Sequence, residues 1–294
     1  MKKTAIGSSL LLFLAACIWG VAFVAQSVGM DYMGPFTFNG ARFLIGGTVL
    51  LPVVYGRVQK KKNTPRRIVP AVTLKGGICC GLAICAASLF QQIGIMDTTV
   101  GKAGFITTLY IVIVPVLGLF LHKKVAGKVW AGAFVAAAGM YLLCMNESFS
   151  VGRGDALVFI CAILFSVHIL VIDYFSPKAD GVALSCIQFY TAGLICAVAA
   201  FFIEKPAMGQ ILAGAAPILY AGVMSCGIAY TLQIIGQKNL EPAVASLILS
   251  MESVVSVLAG WVILGQELSE KELFGCALVF AAVILVQLPE RRKK

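Results

Sequence analysis

The sequence predicts an all-α integral membrane protein, with ten transmembrane helices arranged as two inverted five-helix repeats. Three observations predict it. First, 60% of the residues are hydrophobic and only 12% are charged, against roughly 25% charged in a soluble domain. That is too little polar surface to cover a globule in water, so lipid is the expected solvent and the bilayer the expected partner. Second, the apolar residues gather into runs close to the roughly 20 that a membrane helix needs. Third, the second half of the chain echoes the first, in order. The formal charge of +10 would suit nucleic acid, but most charges sit in short loops between apolar runs. No nucleic-acid partner is expected.

In chain order the expected spans are 5–27, 35–55, 70–94, 100–121, 129–145, 156–173, 183–203, 213–235, 243–264 and 273–288. The first opens with MKKTAIGSSLLLFLAAC, and LAAC resembles a lipoprotein cleavage box at Cys17. The apolar run continues through IWGVAFVAQSV, where a cleaved lipoprotein would enter a polar tether, so an uncleaved helix is expected. The breaks between spans carry charge or turn residues: GMDYMGP, GRVQKKKNTPRR, MDTTVGK, HKKVAGK, NESFSVGRGD, FSPKADG, EKPAMG, GQKNLEP and GQELSEKE. Pro115 should kink the fourth span, whereas Pro217 lies early enough in the eighth to bend it little. Gly77 and Gly81 form a GxxxG pair on the third span that permits tight helix contact.

Loop Lys and Arg set orientation. With the N-terminus inside, the basic loops GRVQKKKNTPRR and HKKVAGK and both chain ends fall on the inner side. Only Lys102, Arg153, Lys205 and Lys271 fall on the outer side, while Arg42 and Lys75 lie within spans. Both termini are therefore expected in the cytoplasm, with the chain multi-pass in the plasma membrane.

The repeat is read by displacement. FNGARFLIGG (38–47) lies on LSCIQFYTAG (184–193), matching Phe43 with Phe189 and Gly47 with Gly193, and setting Arg42 against Gln188. Further on, Gln91, Ile93, Gly94, Ala103 and Ile106 match Gln233, Ile235, Gly236, Ala245 and Ile248, and Lys128 and Gly132 match Lys271 and Gly275. The two copies are 1–145 and 146–294. Five spans per copy force the second into the membrane upside-down. The loops agree, since HKKVAGK is basic and its counterpart GQELSEKE is mostly acidic. Inverted repeats are a transporter architecture with the substrate site near the bilayer midplane.

Several stretches resemble the EamA-type family of the drug/metabolite transporter superfamily: ACIWGVAFVAQ, FNGARFLIGG and LFQQIGIMDTTVGKAGFITTLYIVIVPVLGLFLHKK in the first copy, then LFSVHILVID, LQIIGQKNLEPAVASLI and MESVVSVLAGWVILGQELS in the second. The resemblance runs from about residue 5 to 288. It departs at Ser253, where many members carry Pro, and at His122 and Lys123, where members often carry Gly-Glu. It implies a secondary transporter for small metabolites, with export the commoner role and helices 1, 3, 4, 6, 8 and 9 around a cavity. On that basis Trp19, Tyr110 and Tyr230 are expected to line it, although packing alone would explain them nearly as well.

Polar residues inside the spans are the candidate substrate-binding set. A charge at a helix centre costs about 2.5–3.5 kcal/mol on insertion scales, so each one asks for a partner or a function. Glu252 lies midway along the ninth span, on a small, hydroxylated face that includes Ser256 and suits close helix contact or a wet cavity. Two roles are open to it: a fixed acceptor in the scaffold, or a cavity acid that binds an amine or carries a proton. Arg42 either snorkels to a loop carbonyl or pairs with an anionic substrate. Gln91 and Gln233 occupy equivalent places, as gate residues or as interhelical glue. His168 is either hydrogen-bonded structure or a titrating group.

No Walker motif GxxxxGK[ST] occurs, so ATP is not the expected energy source; TTVGKAG has Met96 in place of the upstream glycine and Ala103 after the lysine. A membrane enzyme would need GxSxG, HExxH or clustered ligands, and neither motif is present. His122 and His168 lie too far apart for a zinc motif, and most of the cysteines read as small hydrophobes within apolar runs. No cofactor or metal is expected. A passive channel would want a repeated charged ring or a filter-like loop, which is also missing.

Overall fold

The computed structural model describes residues 2–60, 70–144, 152–265 and 269–287. Lys61, Lys62, Arg66, Arg67 and the basic tail from Arg291 to Lys294, which weigh in the orientation argument, lie outside the described residues. Within them the chain is helical, with no strand. In order come α1 (Lys2–Gly29), α2 (Pro35–Lys60), α3 (Ala71–Ile95), α4 (Val100–Thr108), α5 (Tyr110–Phe120), α6 (Gly127–Cys144), α7 (Arg153–Phe175), α8 (Gly181–Ile203), α9 (Met208–Ala213) and α10 (Ala215–Leu219). A π-helix (Tyr220–Tyr230) follows, then α11 (Thr231–Gln237), α12 (Pro242–Leu249), α13 (Met251–Leu264) and α14 (Glu270–Gln287).

Eight helical segments among the described residues are long and apolar enough to cross a membrane: 5–29, 35–57, 71–95, 100–120, 153–175, 181–203, 215–237 and 242–263. The α6 and α14 helices cover the other two expected positions but do not meet that measure. Each has 18 residues, about 27 Å at 1.5 Å per residue, just short of a hydrocarbon core of about 30 Å. They pack on one another. A Cβ on Gly139 would lie 2.7 Å from the Gly275 carbonyl oxygen, and one on Gly132 would lie 2.4 Å from Val286.

Helix ends are set by local chemistry. Thr99 caps α4 by accepting from the Lys102 amide at 3.3 Å, and Asp180 caps α8 by accepting from Val182 and Ala183 at 3.1 Å. The start of α2 is capped from across the molecule. Glu204, at the end of α8, accepts from the Phe36 amide at 2.9 Å and from the Thr37 amide and hydroxyl at 2.7 and 2.6 Å. The α5 helix ends in a Schellman turn: Lys123 N donates to Gly118 O at 2.9 Å and His122 N to Leu119 O at 2.9 Å. His122 holds the left-handed position at φ 56°, where a side chain is strained.

Small residues bring the helices together. The Gly77–Gly81 pair faces α8, where a Cβ on Gly81 would lie 2.6 Å from Thr191 Cβ and 2.8 Å from the Gln188 carbonyl oxygen. A Cβ on Gly94 would lie 2.8 Å from Gly154 O, joining α3 to α7. One on Gly236 would lie 2.9 Å from Ser8 O, joining α11 to α1. Between α2 and α8, Phe43 and Phe189 stack with centroids 5.8 Å apart.

Two of the long segments are broken in mid-course. The segment 100–120 is interrupted at Leu109, where the amide pairs tighten to i→i+3 contacts with Ile106 and Val112. The segment 242–263 is interrupted at Ser250, where Ser253 N donates to Ser250 O at 3.0 Å. The first break lies ahead of Pro115, which sits inside α5 and denies Ile111 its helical donor. Pro217 occupies the first turn of α10, as its early place in the span predicts.

Candidate functional site

The broken helices meet at a central cavity. Trp19, Phe23 and Gln26 come from α1, Arg42 from α2, Gln91 from α3, Thr107 from α4 and Tyr110 from α5. Phe165, His168 and Ile169 come from α7, and Ser225, Tyr230 and Gln233 from the π-helix and α11. Leu249 and Glu252 come from either side of the Ser250 break. The free volume is only about 30 Å³, room for roughly one or two waters. In this conformation that is too little room for a metabolite.

Glu252 stands in the first turn of α13 and is 5% exposed. Its Oε1 accepts a hydrogen bond from the Tyr110 hydroxyl at 2.9 Å. A helix N-terminus favours negative charge, and the break at Ser250 creates that terminus in mid-span. Arg42 is 2% exposed. Its Nη1 donates to Gln26 Oε1 at 2.9 Å, and its guanidinium lies 4.9 Å from the centroid of the Phe43 ring, within cation–π range. Its Nε has no hydrogen-bond partner among the described residues. Neither charge is in an ion pair; the ion pairs among the described residues are Arg57–Asp180, Lys102–Asp155 and Lys123–Asp173.

His168 is fully buried and shares a 3.1 Å hydrogen bond between Nε2 and Gln188 Oε1. Gln91 Nε2 donates to Thr107 Oγ1 at 3.1 Å, and Gln233 Nε2 to Gln237 Oε1 at 3.5 Å. Trp19 and Tyr230 tilt together with centroids 4.5 Å apart. Trp19 Nε1, His168 Nδ1 and Gln233 Oε1 are buried without partners among the described residues. Buried polar atoms are normally satisfied; these three and Arg42 Nε lie on the cavity wall, while others are on Asn39, Thr73, Ser88, Gln92, Ser176 and Gln188, away from its lining.

Of the residues expected from sequence, Trp19, Arg42, Gln91, Tyr110, His168, Tyr230, Gln233 and Glu252 line this cavity together. Ser256 does not. Its hydroxyl donates to Ser253 O at 2.8 Å, and it packs against Gly104 of α4. Ser246, Ser250 and Ser253 likewise bond the carbonyl three residues back. The hydroxylated face of the ninth span therefore serves helix contact, not a wet surface. Gln26 and Phe165 were missed, although each had a signal. Gln26 lies two helical turns from Trp19 in ACIWGVAFVAQ, and Phe165 one turn before His168 in LFSVHILVID.

The two ends of the bundle differ. At one, Asp155 receives Lys102 Nζ at 2.9 Å, the Thr98 hydroxyl at 2.6 Å and the Gly152 amide at 3.0 Å, tying α4 to α7. At the other lies a vestibule of about 610 Å³ bordered by Lys123, Lys124, Asp173, Lys238 and Glu241.

Comparison with known proteins places this arrangement. A crystal structure with 19% sequence identity superposes over 95% of this chain and 96% of its own, with a TM-score of 0.78, so the fold is one already seen. An uncharacterized transporter of Archaeoglobus fulgidus is 29% identical over 279 residues, covering 94% of this chain and 84% of that protein. The uncharacterized inner membrane transporter YedA of Escherichia coli is 23% identical over 282 residues, covering 94% and 89%. The EamA-like transporter family matches twice, over residues 7–145 and 152–288. A multi-pass helical bundle closed around a polar cavity is thus a membrane transporter, and the chain belongs to the EamA-like transporter family.

Proposed function

We propose that the protein is a secondary active carrier that exports a small, zwitterionic, amino acid-like metabolite by alternating access. The observation that carries this reading is the pair Arg42 and Glu252. Two ionisable groups of opposite sign line one buried cavity, and among the described residues neither is in an ion pair. Each buried charge is costly unless something compensates it. A substrate with a carboxylate for Arg42 and an ammonium for Glu252 compensates both. The aromatic wall of Trp19, Phe23, Phe165 and Tyr230 leaves an apolar place for its side chain.

Alternating access follows from reading residues 1–145 and 146–294 as inverted ten-span repeats. Several observations support that reading. The displacement that aligns Gln91 with Gln233 also aligns Tyr110 with Glu252, which hydrogen-bond to each other across the cavity. It aligns the two broken helices within a residue and carries Gly94 onto Gly236, while the displacement that aligns Phe43 with Phe189 carries Ser8 onto Gly154, so the Gly94–Gly154 contact answers the Gly236–Ser8 contact at the opposite end. With the lysine-rich loops inside, the vestibule faces the cytoplasm and the Asp155 cluster closes the outer side. Substrate then loads from the cytoplasm, as an exporter requires.

The test is counterflow in proteoliposomes with three molecules of one skeleton: phenylalanine, phenethylamine and 3-phenylpropanoate. Phenylalanine should exchange saturably and be favoured over the other two. Equal handling of all three would sink the zwitterion reading, and single-channel current would favour a channel instead. Proton coupling is tested with Glu252→Gln, which keeps the shape and removes titration. An unchanged rate and pH dependence in that variant would exclude Glu252 as the proton carrier. Accessibility labelling should find both chain ends on one face of the membrane; opposite faces would overturn the ten-span arrangement.

A further inference from the structure

Arg42 is held by one amide, Gln26, and by the Phe43 and Phe38 rings, whose centroids lie 4.9 and 5.6 Å from its guanidinium. Beside the cavity, between α1, α2 and α3, lies a buried polar seam of Gln26, Asn39, Arg42, Ser88 and Gln92, none more than 5% exposed. Gln92 Nε2 donates to the Gln26 carbonyl oxygen at 3.0 Å, fixing that turn of α1. Asn39 Nδ2 donates to Ser88 O at 3.3 Å, tying α2 to α3 one turn before Arg42. Gln26 Oε1 then receives Arg42 Nη1 at 2.9 Å. None of these five residues is acidic, and Arg42 is in no ion pair among the described residues. A glutamate at position 26 would have the same shape and would neutralise the guanidinium. An amide there orients the guanidinium and leaves its charge uncompensated.

We propose that Gln26 sets the charge class of the substrate: it aims the Arg42 guanidinium into the cavity while reserving that positive charge for a carboxylate on the ligand. The inference rests on the zwitterion reading above. Gln26 is a positioning residue acting through Arg42, and the remainder of the seam holds its backbone and its neighbour in register. The chemistry separates orientation from charge. Gln26→Leu removes the hydrogen bond and keeps the free cation. Gln26→Glu keeps the hydrogen bond and cancels the cation, so the cavity retains Glu252 as its one uncompensated charge. It should then prefer an amine without a carboxylate.

The experiment measures inhibition of phenylalanine counterflow by phenylalanine, phenethylamine and 3-phenylpropanoate in wild type, Gln26→Glu, Gln26→Leu and Arg42→Gln. All four proteins are first checked for monodispersity and thermal stability in detergent. Gln26→Glu should lose about tenfold or more in apparent affinity for phenylalanine, the scale of a hydrogen bond to a charged group. Its affinity for phenethylamine should hold or rise, so that the preference inverts as it does in Arg42→Gln. Gln26→Leu should raise the phenylalanine KM severalfold without inverting the preference. A folded Gln26→Glu that still prefers the zwitterion overturns the proposal, as does a Gln26→Leu that inverts like Gln26→Glu. Should Gln26→Glu not fold, Arg42→Gln against Gln26→Leu carries the same contrast. A wild type with no zwitterion preference would instead sink the underlying reading, a result distinct from failure in the variants alone.

Discussion

Among the described residues Glu252 is the only acid lining the cavity, and its carboxyl accepts a hydrogen bond from a single phenol, Tyr110, at 2.9 Å. Removing that donor should cost more than the bond itself, because a buried carboxyl would be left unsatisfied. Tyr110→Phe is expected to destabilise the protein by about 1–3 kcal/mol, read as a fall in Tm of the detergent-solubilised protein. Glu252→Gln keeps an acceptor for Tyr110, so it should retain most of the Tm and lose exchange of amine-bearing substrates. A Gln variant as unstable as Tyr110→Phe would assign Glu252 to the scaffold. His122 makes the opposite kind of prediction. It sits at φ 56° in the turn after α5, a conformation that costs a side chain roughly 1–2 kcal/mol. His122→Gly should raise stability by about 1 kcal/mol without touching transport. The sequence singled out both residues, one as a charge in an apolar run and the other as a departure from its resembling family. It could not show that Tyr110 reaches Glu252, because 142 residues separate them.

The elements were legible where their signal is local. Hydropathy over about 20 residues marks a span, and the turn and charge clusters marked most breaks. The GxxxG pair on α3 was read as a contact surface, and it meets α8. Gly81→Ala should therefore cost about 1–3 kcal/mol of stability, read as a lower Tm, since its Cβ would press on a backbone carbonyl of α8 that cannot rotate away. Gly56→Ala, with nothing within 4 Å of its Cβ, should be neutral. A melting comparison of the two checks this. The helix breaks at Leu109 and Ser250 and the π-helix at Tyr220–Tyr230 were not legible. Only Pro115 advertised one of them, and the break lies a turn and a half away. A change of helical register shifts the face presented by every later residue. Ser256 is a separate case: it lies one turn beyond Glu252 in the unbroken α13, where Gly104 of α4 packs against it.

In the whole molecule the two ends of the cavity are closed by different chemistry. Asp155 gathers Lys102, Thr98 and the Gly152 amide, whereas the matching contact between α1 and α11 carries a neutral bond from Asn239 Nδ2 to Ser8 Oγ at 3.2 Å. Charge-assisted bonds are the stronger kind, so the Asp155 end should be the harder one to open. Asp155→Asn should weaken that closure. A cysteine placed at Ser225 in a cysteine-free background should then react faster with an impermeant thiol reagent added from the Lys102 side. An unchanged labelling rate would remove Asp155 from the gate. At this scale the sequence by itself determined that the chain lives in lipid and where its long helices run. It also determined which few polar residues must be accounted for. Composition, hydropathy and repetition are properties of position along the chain. Tertiary structure alone decided that Tyr110 bonds Glu252, that Gln26 holds Arg42 without neutralising it, and that one end is latched by charge-assisted bonds and the other by a neutral one. Those facts depend on how far helices distant in sequence are rotated about their own axes, and that rotation is set by contacts and helix breaks that no single stretch contains.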